Sequence, residues 1–518
     1  METTLTHVKS EFSDQQGDYL LIRCGEEFFA LPGKTKIGKS IAKQDLDLPG
    51  VLKGNTLDEL KQQIPTNDTV PVEFAGWLPA FDFFGKCGTH PQFRHIQDPP
   101  EGYHFVWTHK PTRKTEMKLV LMQVMHWVAI AVFHIVRPLV SLFLYVFTFN
   151  PFRILQTMWV MSGFICKLLR LGCGLIPVLR FVRSRHFMSQ VMVAGNPNLQ
   201  FLTSVPYTFG QHPWVIEIED LTSLFFPFVR NGQTANIDLQ KSPYFKMVKA
   251  MLEDKSCRGI ITHMRSTADT LPNVFASDVI GQKTTHVPCG TILPSVPQKQ
   301  RTDHIHMVFT CSWHQDVDSF FLRGGLEVLD AFEQLHERYP NLRLTLRTGL
   351  PRKLDDRYRS IIEKCWVRVL HRYLSVSEME EMMQETQLFL LPAARIHVVS
   401  ILRAMAYGQV VVASDGWGFE EYIEHGKNGI LVPGRYGKQS WEDEETGMLR
   451  EDYSWTRTSD PQVVKNLVDA ISLLVEDQEL REKLGQQARQ DVADKYTPEN
   501  WNRGLKQAFD KATRIDRG

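Results

Sequence analysis

Residues 388–433 read LFLLPAARIHVVSILRAMAYGQVVVASDGWGFEEYIEHGKNGILVP. Three short apolar runs, at 388–392, 410–414 and 430–433, have the length of buried strands. A helix-like segment at 398–408 separates the first two runs, and a glycine-rich turn precedes the third. Strands that alternate with helices in this way are typical of parallel βαβ units. The stretch therefore predicts an α/β domain built on a parallel sheet.

The same alternation extends outward from this stretch. Further strands are predicted at 215–218, 259–263, 285–288, 306–310, 342–349 and 367–373. Helices are predicted at 324–339, at 377–386 and from Pro461 onward. Nearer the amino terminus, strands are predicted at 19–24, 27–33 and 79–85. The last of these runs into a glycine-rich turn and predicts the start of a second α/β domain.

Several motifs in 388–433 follow one another in the order and spacing of a known family. They are Ala404-Met405-Ala406-Tyr407-Gly408, Val412-Ala413-Ser414-Asp415, Gly418 with Glu421, Asn428-Gly429 and Leu431-Val432-Pro433. In these motifs the chain resembles the retaining family-four glycosyltransferases, which have the GT-B fold. The similarity covers about residues 190–515 and 78–110, and it does not include 117–185.

The resemblance implies an α/β architecture with two Rossmann-like domains facing across a cleft. The domain organisation that follows has an amino-terminal extension at 1–77 and an acceptor-side domain at 78–295 that contains a hydrophobic, basic helical insertion at 117–187. A donor-binding domain at 296–495 and a carboxyl-terminal helix at 496–518 complete the chain. The resemblance also implies a nucleotide-diphosphate sugar as substrate, with no cofactor and no metal.

The segment FFLRGGLEVLDAF at 320–332 resembles the start of a helix that contacts the donor phosphates in the family. Arg323 takes the position of a phosphate-binding lysine there, beside Gly324 at the start of the helix. A guanidinium next to a helix amino terminus can stabilise a departing diphosphate without a metal ion. Arg323 and Gly324 are therefore predicted donor-binding residues. The alternative is an ordinary surface arginine beside a glycine loop.

The sequence departs from the family at its E-x7-E motif, where two arginines replace the glutamates. Arg395 stands at the first position and Arg403 at the second. Arg395, predicted as catalytic, could grip a diphosphate or an acidic sugar together with His397, and Arg403 could contact the ribose hydroxyls. Gly418 and Glu421 at the glycine-rich turn complete the predicted donor site. The alternative is that the arginines are structural or that the site is degenerate.

On the acceptor side, VIEIEDL at 215–221 matches a strand that ends in His-Asp in the family. It places Glu219 at the histidine position and Asp220 at the aspartate, and both are predicted as catalytic. They could equally end a strand and cap the following helix. The glycine-rich turn after the strand predicted at 79–85 supplies the acceptor-side candidates Gly85, Lys86 and His90.

Met117–Ile216 contains no Asp or Glu, although eight Lys and Arg residues lie within it. The same region holds two uncharged, mainly apolar runs, Leu119–Val136 and Leu139–Phe152. An anionic bilayer surface would disfavour carboxylates, whereas the exposed rim of a soluble core would not. We therefore expect a re-entrant or interfacial hairpin followed by basic amphipathic helices on the membrane. The alternative is a set of buried helices in a large soluble core.

Composition excludes several other classes of protein. Lys and Arg number 59, as do Asp and Glu, so a generally basic nucleic-acid binder is not expected. The eight cysteines form no CxxC pair, which predicts reduced thiols and no zinc site. The polar stretch at 1–18 lacks the apolar run of a cleavable signal peptide. GKTKIGKS at 33–40 matches a P-loop pattern, but Pro49 would stop the helix that a P-loop requires.

These observations predict a membrane-associated glycosyltransferase that transfers a sugar from a nucleotide-diphosphate sugar to a lipid-linked or polysaccharide acceptor, with retention of configuration. Its expected location is cytoplasmic, peripheral or monotopic at the inner face of a membrane. Its expected partners are the nucleotide sugar, the acceptor and an anionic membrane surface that contacts 117–187. A non-catalytic GT-B-like protein that binds a nucleotide sugar or a glycan is the first alternative, and a P-loop nucleotidase is the second.

Overall fold

A computed structural model describes most of the two α/β domains of the 518-residue chain. The described residues are 7–9, 12–16, 19–24, 27–32, 40–42, 52–54, 56, 69–75, 99–107, 151–182, 199–206, 208–225, 240–295, 303–311, 318–372, 374, 376–393, 396–416, 418–434 and 454–514. The predicted strand at 79–85 and the segment 117–150 of the predicted insertion lie outside them.

Short antiparallel strands form the amino-terminal part of the chain. They are β1 His7–Lys9, β2 Phe12–Gln16, β3 Tyr19–Cys24, β4 Glu27–Pro32, β5 Ser40–Ala42 and β6 Leu52–Gly54. One sheet has the order β2-β3-β4-β6, and β1 pairs with β5. Ser40, the last residue of the P-loop pattern, begins a strand, whereas a P-loop would continue as a helix. The nucleotidase alternative therefore lacks its defining structure.

The first parallel sheet has six strands in the order β12-β11-β10-β9-β7-β8. The strands are β7 Val70–Ala75, β8 Tyr103–Trp107, β9 Leu199–Thr203, β10 Trp214–Ile218, β11 Cys257–Thr262 and β12 Thr284–His286. All neighbouring pairs are parallel. The sheet begins with β7, ahead of the domain boundary predicted at residue 78. The order reverses between β7 and β9, as in doubly wound folds.

The second parallel sheet also has six strands, in the order β15-β14-β13-β16-β17-β18. The strands are β13 Ile305–Thr310, β14 Leu342–Arg347, β15 Val367–Val369, β16 Leu388–Leu391, β17 Val410–Ser414 and β18 Gly429–Val432. Every residue of β16 and β17 is buried, as expected for central strands covered by helices on both faces. This is the 3-2-1-4-5-6 order of the Rossmann fold, and the predicted strands in this domain are confirmed.

Helices connect the strands and cover both sheets. In chain order they are α1 Pro151–Arg170, α2 Leu175–Val182, α3 Pro243–Glu253, α4 Arg265–Phe275, α5 Asp278–Lys283, α6 Ser319–Leu322, α7 Gly325–Arg338, α8 Asp356–Ile362, α9 Val376–Glu385, α10 Val398–Ala406, α11 Pro461–Glu476, α12 Gln478–Lys495 and α13 Pro498–Arg514. Two parallel-sheet α/β domains of this kind constitute the GT-B fold that the sequence predicts.

Helices α1 and α2 are the described part of the predicted insertion. One side of this helix pair is buried against the first sheet, where Phe164 and Phe181 join the cluster that contains Trp214 and Ile216. This side of the pair is therefore part of the core of the first domain. Among the described residues, no helix is long and apolar enough to cross a membrane. The predicted hairpin at 119–150 and residues 183–187 lie outside the described residues.

The last helix returns from the second domain to the first. Trp501, Leu505 and Phe509 of α13 are buried in the cluster that contains Phe201, Val215 and Ile261 on the opposite sheet face from α1 and α2. The Phe509 ring meets that of Phe201 edge to face at 5.3 Å. Packing of α13 therefore ties the two ends of the GT-B fold together.

A buried carboxyl anchors α13 to the centre of the first sheet. Trp501 Nε1 donates to Glu217 Oε1 at 3.1 Å, and His263 Nε2 lies 3.5 Å from the same oxygen. Burial raises the pKa of Glu217 to about 8, with the Trp501 hydrogen bond opposing the rise. Burial lowers the pKa of His263 to about 4. Near pH 6.5 both groups are therefore neutral in the folded protein.

Because the pKa of Glu217 is raised on folding, its stabilising contribution is present at low pH and is lost as the pH rises towards 8. His263, whose pKa is lowered, acts in the opposite direction but only below its unfolded value of about 6.5. Between pH 6.5 and 8, we expect the free energy of unfolding to fall by about 1–2 kcal/mol through Glu217. Glu217→Gln should remove this decline, because a glutamine side chain does not titrate. It can still accept the hydrogen bond from Trp501, so the packing of α13 should be kept.

Chemical denaturation at several pH values measures the effect. The exposed Glu476→Gln serves as the control and should leave the pH dependence unchanged. An identical decline in wild type and Glu217→Gln would contradict the assignment.

Candidate active site

The candidate site lies where the strand order of the second sheet reverses, between β13 and β16. Ligands of open α/β sheets bind outside the carboxyl ends of the strands at such a point. Thr310 ends β13, and its carbonyl accepts a hydrogen bond from Arg323 Nη1 at 2.7 Å. Arg323 is 2% exposed. The side chain of Arg323, which the sequence predicts to bind phosphate, is thus held at the switch point by the end of the central strand.

Arg323 also contacts His397. Its Nη2 lies 2.9 Å from His397 Nδ1. The guanidinium can only donate, so Nδ1 accepts and the proton of a neutral His397 is on Nε2. His397 immediately precedes α10 and comes from the segment that follows β16. The fold therefore brings together two predicted donor-binding residues that are 74 positions apart in the sequence.

Glu219 reaches the same helix end from the first domain. Its Oε1 accepts a hydrogen bond from the backbone N–H of Val398 at 2.8 Å. His397 provides no side-chain cap for α10. The carboxylate satisfies one of the free N–H groups of the first turn and lies at the positive end of the helix dipole. Glu219 thus caps a helix of the opposite domain.

Glu421 makes the reciprocal contact from the second domain. Its two carboxylate oxygens accept from the backbone N–H groups of Arg265 at 2.5 Å and Ser266 at 2.8 Å. These residues begin α4, whose cap position is occupied by Met264, a residue with no side-chain oxygen. Each domain therefore supplies the carboxylate that caps a helix of the other. We call these two contacts the reciprocal caps.

The glycine-rich turn is closed by the same part of the first domain. Gly418 has φ +84° in the left-handed region, and a Cβ on it would lie 2.1 Å from Met264 Cε and 3.0 Å from Ser266 Oγ. The left-handed φ would strain any other residue, and a Cβ would also force the end of the Met264 side chain to move. Tyr422 beyond the turn donates from its hydroxyl to the carbonyl of His263 at 2.5 Å. The cleft is therefore closed over Gly418 and Glu421.

Asp220 lies beside Glu219 but is directed into its own domain. It is buried, and its Oδ1 accepts from the backbone N–H of Ser223 at 3.0 Å, at the start of the short 3-10 helix Leu221–Phe225. This is the capping arrangement that the sequence offers as the alternative for this residue. Of the two acceptor-side carboxylates, Glu219 is the one that reaches the cleft.

The other predicted residues have different surroundings. Gly324 has φ +79°, its N–H donates to the carbonyl of Phe321, and a Cβ would lie 2.3 Å from the carbonyl oxygen of Pro392. Its contact with Pro392 thus requires glycine. Arg403 lies in the last turn of α10. Arg395, Gly85, Lys86 and His90 lie outside the described residues.

An open depression of about 370 Å³ adjoins Gly324. Ser414 and Asp415 at the end of β17 line it, together with Pro392 and Trp455. Its position at the carboxyl ends of β16 and β17 continues the edge on which Arg323 lies. Within the described part of the chain, no group of three or more His, Cys, Asp or Glu side chains could hold a metal ion.

Met264, Ser266 and Tyr422 are cleft residues that the sequence analysis does not identify. Met264 and Ser266 follow β11, so the rule that sites lie beyond strand ends could have indicated them. Their residue types carried no chemical signal, because a methionine and a serine in that position are ordinary helix-start residues. Tyr422 lies next to Glu421 inside the resembling segment and belongs to no named motif.

Comparison with known protein families gives a match in the second domain. Residues 323–445 match the family model described as "Glycosyl transferases group 1". This range contains Arg323, His397, Gly418 and Glu421. The sequence matches none of the curated proteins with which it was compared.

Solved structures with similar folds are distant in sequence. A glycosyltransferase from Rickettsia africae ESF-5 aligns with 11% identity and a TM-score of 0.48, covering 86% of this chain and 99% of that one. Sucrose-phosphate synthase from Thermosynechococcus elongatus gives 16% identity and a TM-score of 0.44, with coverages of 62% and 74%. Anabaena HepE in complex with UDP and glucose aligns with 13% identity and a TM-score of 0.43, covering 63% of this chain and 81% of that one.

All three TM-scores lie below 0.5, so the assignment rests on the two parallel sheets and on the family match. The protein has the GT-B fold, and its second domain carries a glycosyl transferase group 1 region, so the fold and the family match together support a glycosyltransferase.

Proposed function

We propose that the protein transfers a glycosyl group from a nucleotide-diphosphate sugar to a lipid-linked or polysaccharide acceptor at a membrane surface, with retention of configuration. The observation that carries the donor part is the placement of Arg323 and His397 at the switch point, beside the amino terminus of α10. The retaining outcome and the family-four assignment rest on the resemblance of residues 404–433 to that family.

The chemistry of the donor explains why these groups suit it. When the glycosidic bond to the donor breaks, negative charge grows on the departing nucleoside diphosphate. A permanently charged guanidinium and the N–H groups of a helix amino terminus stabilise that charge in a site largely removed from water. In this proposal Arg323 and α10 bind and stabilise the diphosphate, so transfer needs no metal ion.

The contact between Glu219 and α10 supports a proposed order for the first steps. Glu219 accepts a hydrogen bond from the Val398 N–H. A donor phosphate that binds at this helix end competes with the carboxylate for the same N–H. Its arrival therefore displaces Glu219, which then faces the reacting sugar from the acceptor-side domain. In this scheme Glu219 is the catalytic carboxylate, while Asp220 supports the loop by capping the following 3-10 helix.

A second candidate function is that of a non-catalytic protein, which binds a nucleotide sugar or a glycan without transferring a sugar. Two observations favour it. Arg403 stands on α10 where the family has a glutamate, and Met264 packs over Gly418 at the turn. In this case the reciprocal caps would hold the cleft closed until a ligand opened it.

Donor turnover separates the two functions. Purified protein is incubated with a panel of nucleotide-diphosphate sugars, with and without EDTA, and free nucleotide and released sugar are followed by NMR. Slow hydrolysis that ignores EDTA and initially releases the retained anomer supports the transferase. Tight binding with no hydrolysis and no transfer supports the binding protein. Hydrolysis that EDTA abolishes would contradict the metal-independent proposal.

Arg323→Ala should weaken donor binding by about 10- to 100-fold, because charge-assisted hydrogen bonds contribute about 1.5–3 kcal/mol. Arg323→Lys keeps the charge but not the paired donors, so we expect an intermediate loss. Calorimetric titration with the donor measures both variants. Arg352→Ala, an exposed arginine in the same domain, is the matched control. Donor affinity that stays at the wild-type value in a folded Arg323 variant would refute the role.

Glu219→Ala frees the Val398 N–H for a phosphate oxygen. We expect the affinity for the nucleoside diphosphate alone to rise by about fivefold, since a competing hydrogen bond contributes about 1 kcal/mol. Turnover of the donor should fall in the same variant. Glu424→Ala, an exposed carboxylate next to the site, is the control. Weaker nucleoside diphosphate binding by Glu219→Ala would show that Glu219 does not compete with the ligand.

A further inference from the structure

The outward side of α1 and α2 exposes an unusual amount of apolar surface. Trp159 is 82% exposed and Ile176 is 67% exposed. Large hydrophobic side chains exposed on this helix pair are seven of the eleven found in the described residues, and they are Met158, Trp159, Leu169, Leu171, Leu175, Ile176 and Leu179. We call these seven residues the apolar face. A concentration of large exposed apolar side chains on two consecutive helices is typical of an interaction surface.

The apolar face is a consequence of how the helices are anchored. In α1, Phe164 and Leu168 are buried against the first sheet, and in α2, Val178 and Phe181 are buried in the same cluster. Helical spacing places Trp159 and Leu169 on the opposite side of α1, and Ile176 and Leu179 on the opposite side of α2. The helices are therefore apolar on both sides, although only one side has a partner in the described part of the chain.

Basic side chains border the apolar face. Arg170 ends α1 and Arg180 lies in the last turn of α2, and both are exposed. Neither has an ion-pair partner among the described residues. Lys246 of α3 reaches the turn between the helices, where its Nζ lies 2.7 Å from the position of a Cβ on Gly172. Lys167 is already paired with Asp254.

The charge pattern identifies the occupant. No carboxylate lies between Met117 and Ile216, so nothing on these two helices repels an anionic surface. Leucine, isoleucine and tryptophan side chains bordered by arginine and lysine are the composition of helices that lie in the interface of an anionic bilayer. A protein partner or a second copy of this chain would not require the complete exclusion of Asp and Glu.

We infer that the apolar face and its border of Arg170, Arg180 and Lys246 dock the protein on an anionic lipid bilayer, with α1 and α2 lying parallel to the membrane plane. The face belongs to the first domain, the one to which the proposed function assigns the acceptor. This inference therefore deepens that function, on which it rests for the acceptor: a lipid-linked acceptor would reach the cleft from the surface on which the domain is docked.

Vesicle flotation of the full-length protein tests the docking surface without donor or acceptor. The vesicles are phosphatidylcholine alone, or three parts phosphatidylcholine to one part phosphatidylglycerol. We expect binding to the anionic vesicles at least tenfold stronger than to the neutral ones, and weaker binding in high salt. Trp159→Ser with Ile176→Ser should reduce the partition coefficient at least tenfold. Leu473→Ser, an exposed leucine on α11 of the other domain, is the matched control and should bind as wild type.

The charged border provides an independent variant that leaves the apolar side chains in place. Arg170→Gln with Arg180→Gln should weaken anionic-vesicle binding by about fivefold per base at low salt, and the effect should vanish in high salt. Lys465→Gln on α11, together with Arg352→Gln, is the control for charge alone. Donor binding measured without vesicles should be unchanged in all of these variants. If the wild-type protein does not bind the donor, that result would count against the proposed function and not against the docking surface.

Three results would overturn the inference. Wild-type protein that ignores anionic vesicles at low salt would show that the surface does not bind lipid. Face variants that lower the melting temperature but bind vesicles as wild type would show that another segment of this chain, such as 119–150, covers the face. If the wild-type protein forms concentration-dependent dimers, the face variants abolish them and no vesicle binding is seen, the apolar face would be assigned to contact with a second copy of the chain.

Discussion

The reciprocal caps are the interaction on which the closed form of the molecule depends. Two helices that begin at the cleft, α4 and α10, have no side-chain oxygen of their own at the cap position, and each receives a carboxylate from the other domain. A helix amino terminus that is buried without a partner for its N–H groups is destabilised. The two domains therefore complete each other's secondary structure across the cleft.

In the proposed function, this arrangement links domain closure to the charge of the donor. The groups that Glu219 and Glu421 satisfy are backbone N–H donors at positive helix ends, and such ends bind phosphates as well as carboxylates. In the proposed function, an anionic donor competes with the Glu219 carboxylate for such a site.

Helices cover both faces of the first sheet. Helix α13 crosses back and buries Trp501 and Phe509 against the first sheet, in the same apolar cluster as Met264 and Phe419 beside Gly418. Helices α1 and α2 cover the opposite face of that sheet and expose their other sides. The first sheet is consequently held between the last helix, α13, and a pair of helices that face outward.

The sequence by itself determined the parallel α/β architecture, because local sequence patterns predict both buried strands and amphipathic helices. The apolar runs 388–391 and 410–414 are examples of such strands. Through the resemblance to the family, the sequence also predicted Arg323, His397, Glu219 and Glu421 as residues of one cleft. It did not assign Glu219 and Asp220 to different roles, since two adjacent carboxylates have the same local signal.

Only the tertiary structure decided which groups meet. Glu219 and Val398 are 179 positions apart, and Arg265 and Glu421 are 156 apart, so no periodicity or local motif relates them. The same holds for Met264 over Gly418, where an ordinary methionine acquires a position in the cleft through close packing of two chain segments. For α1 and α2, apolar residues occur on both sides in the sequence, and only packing against the first sheet decides which side remains exposed.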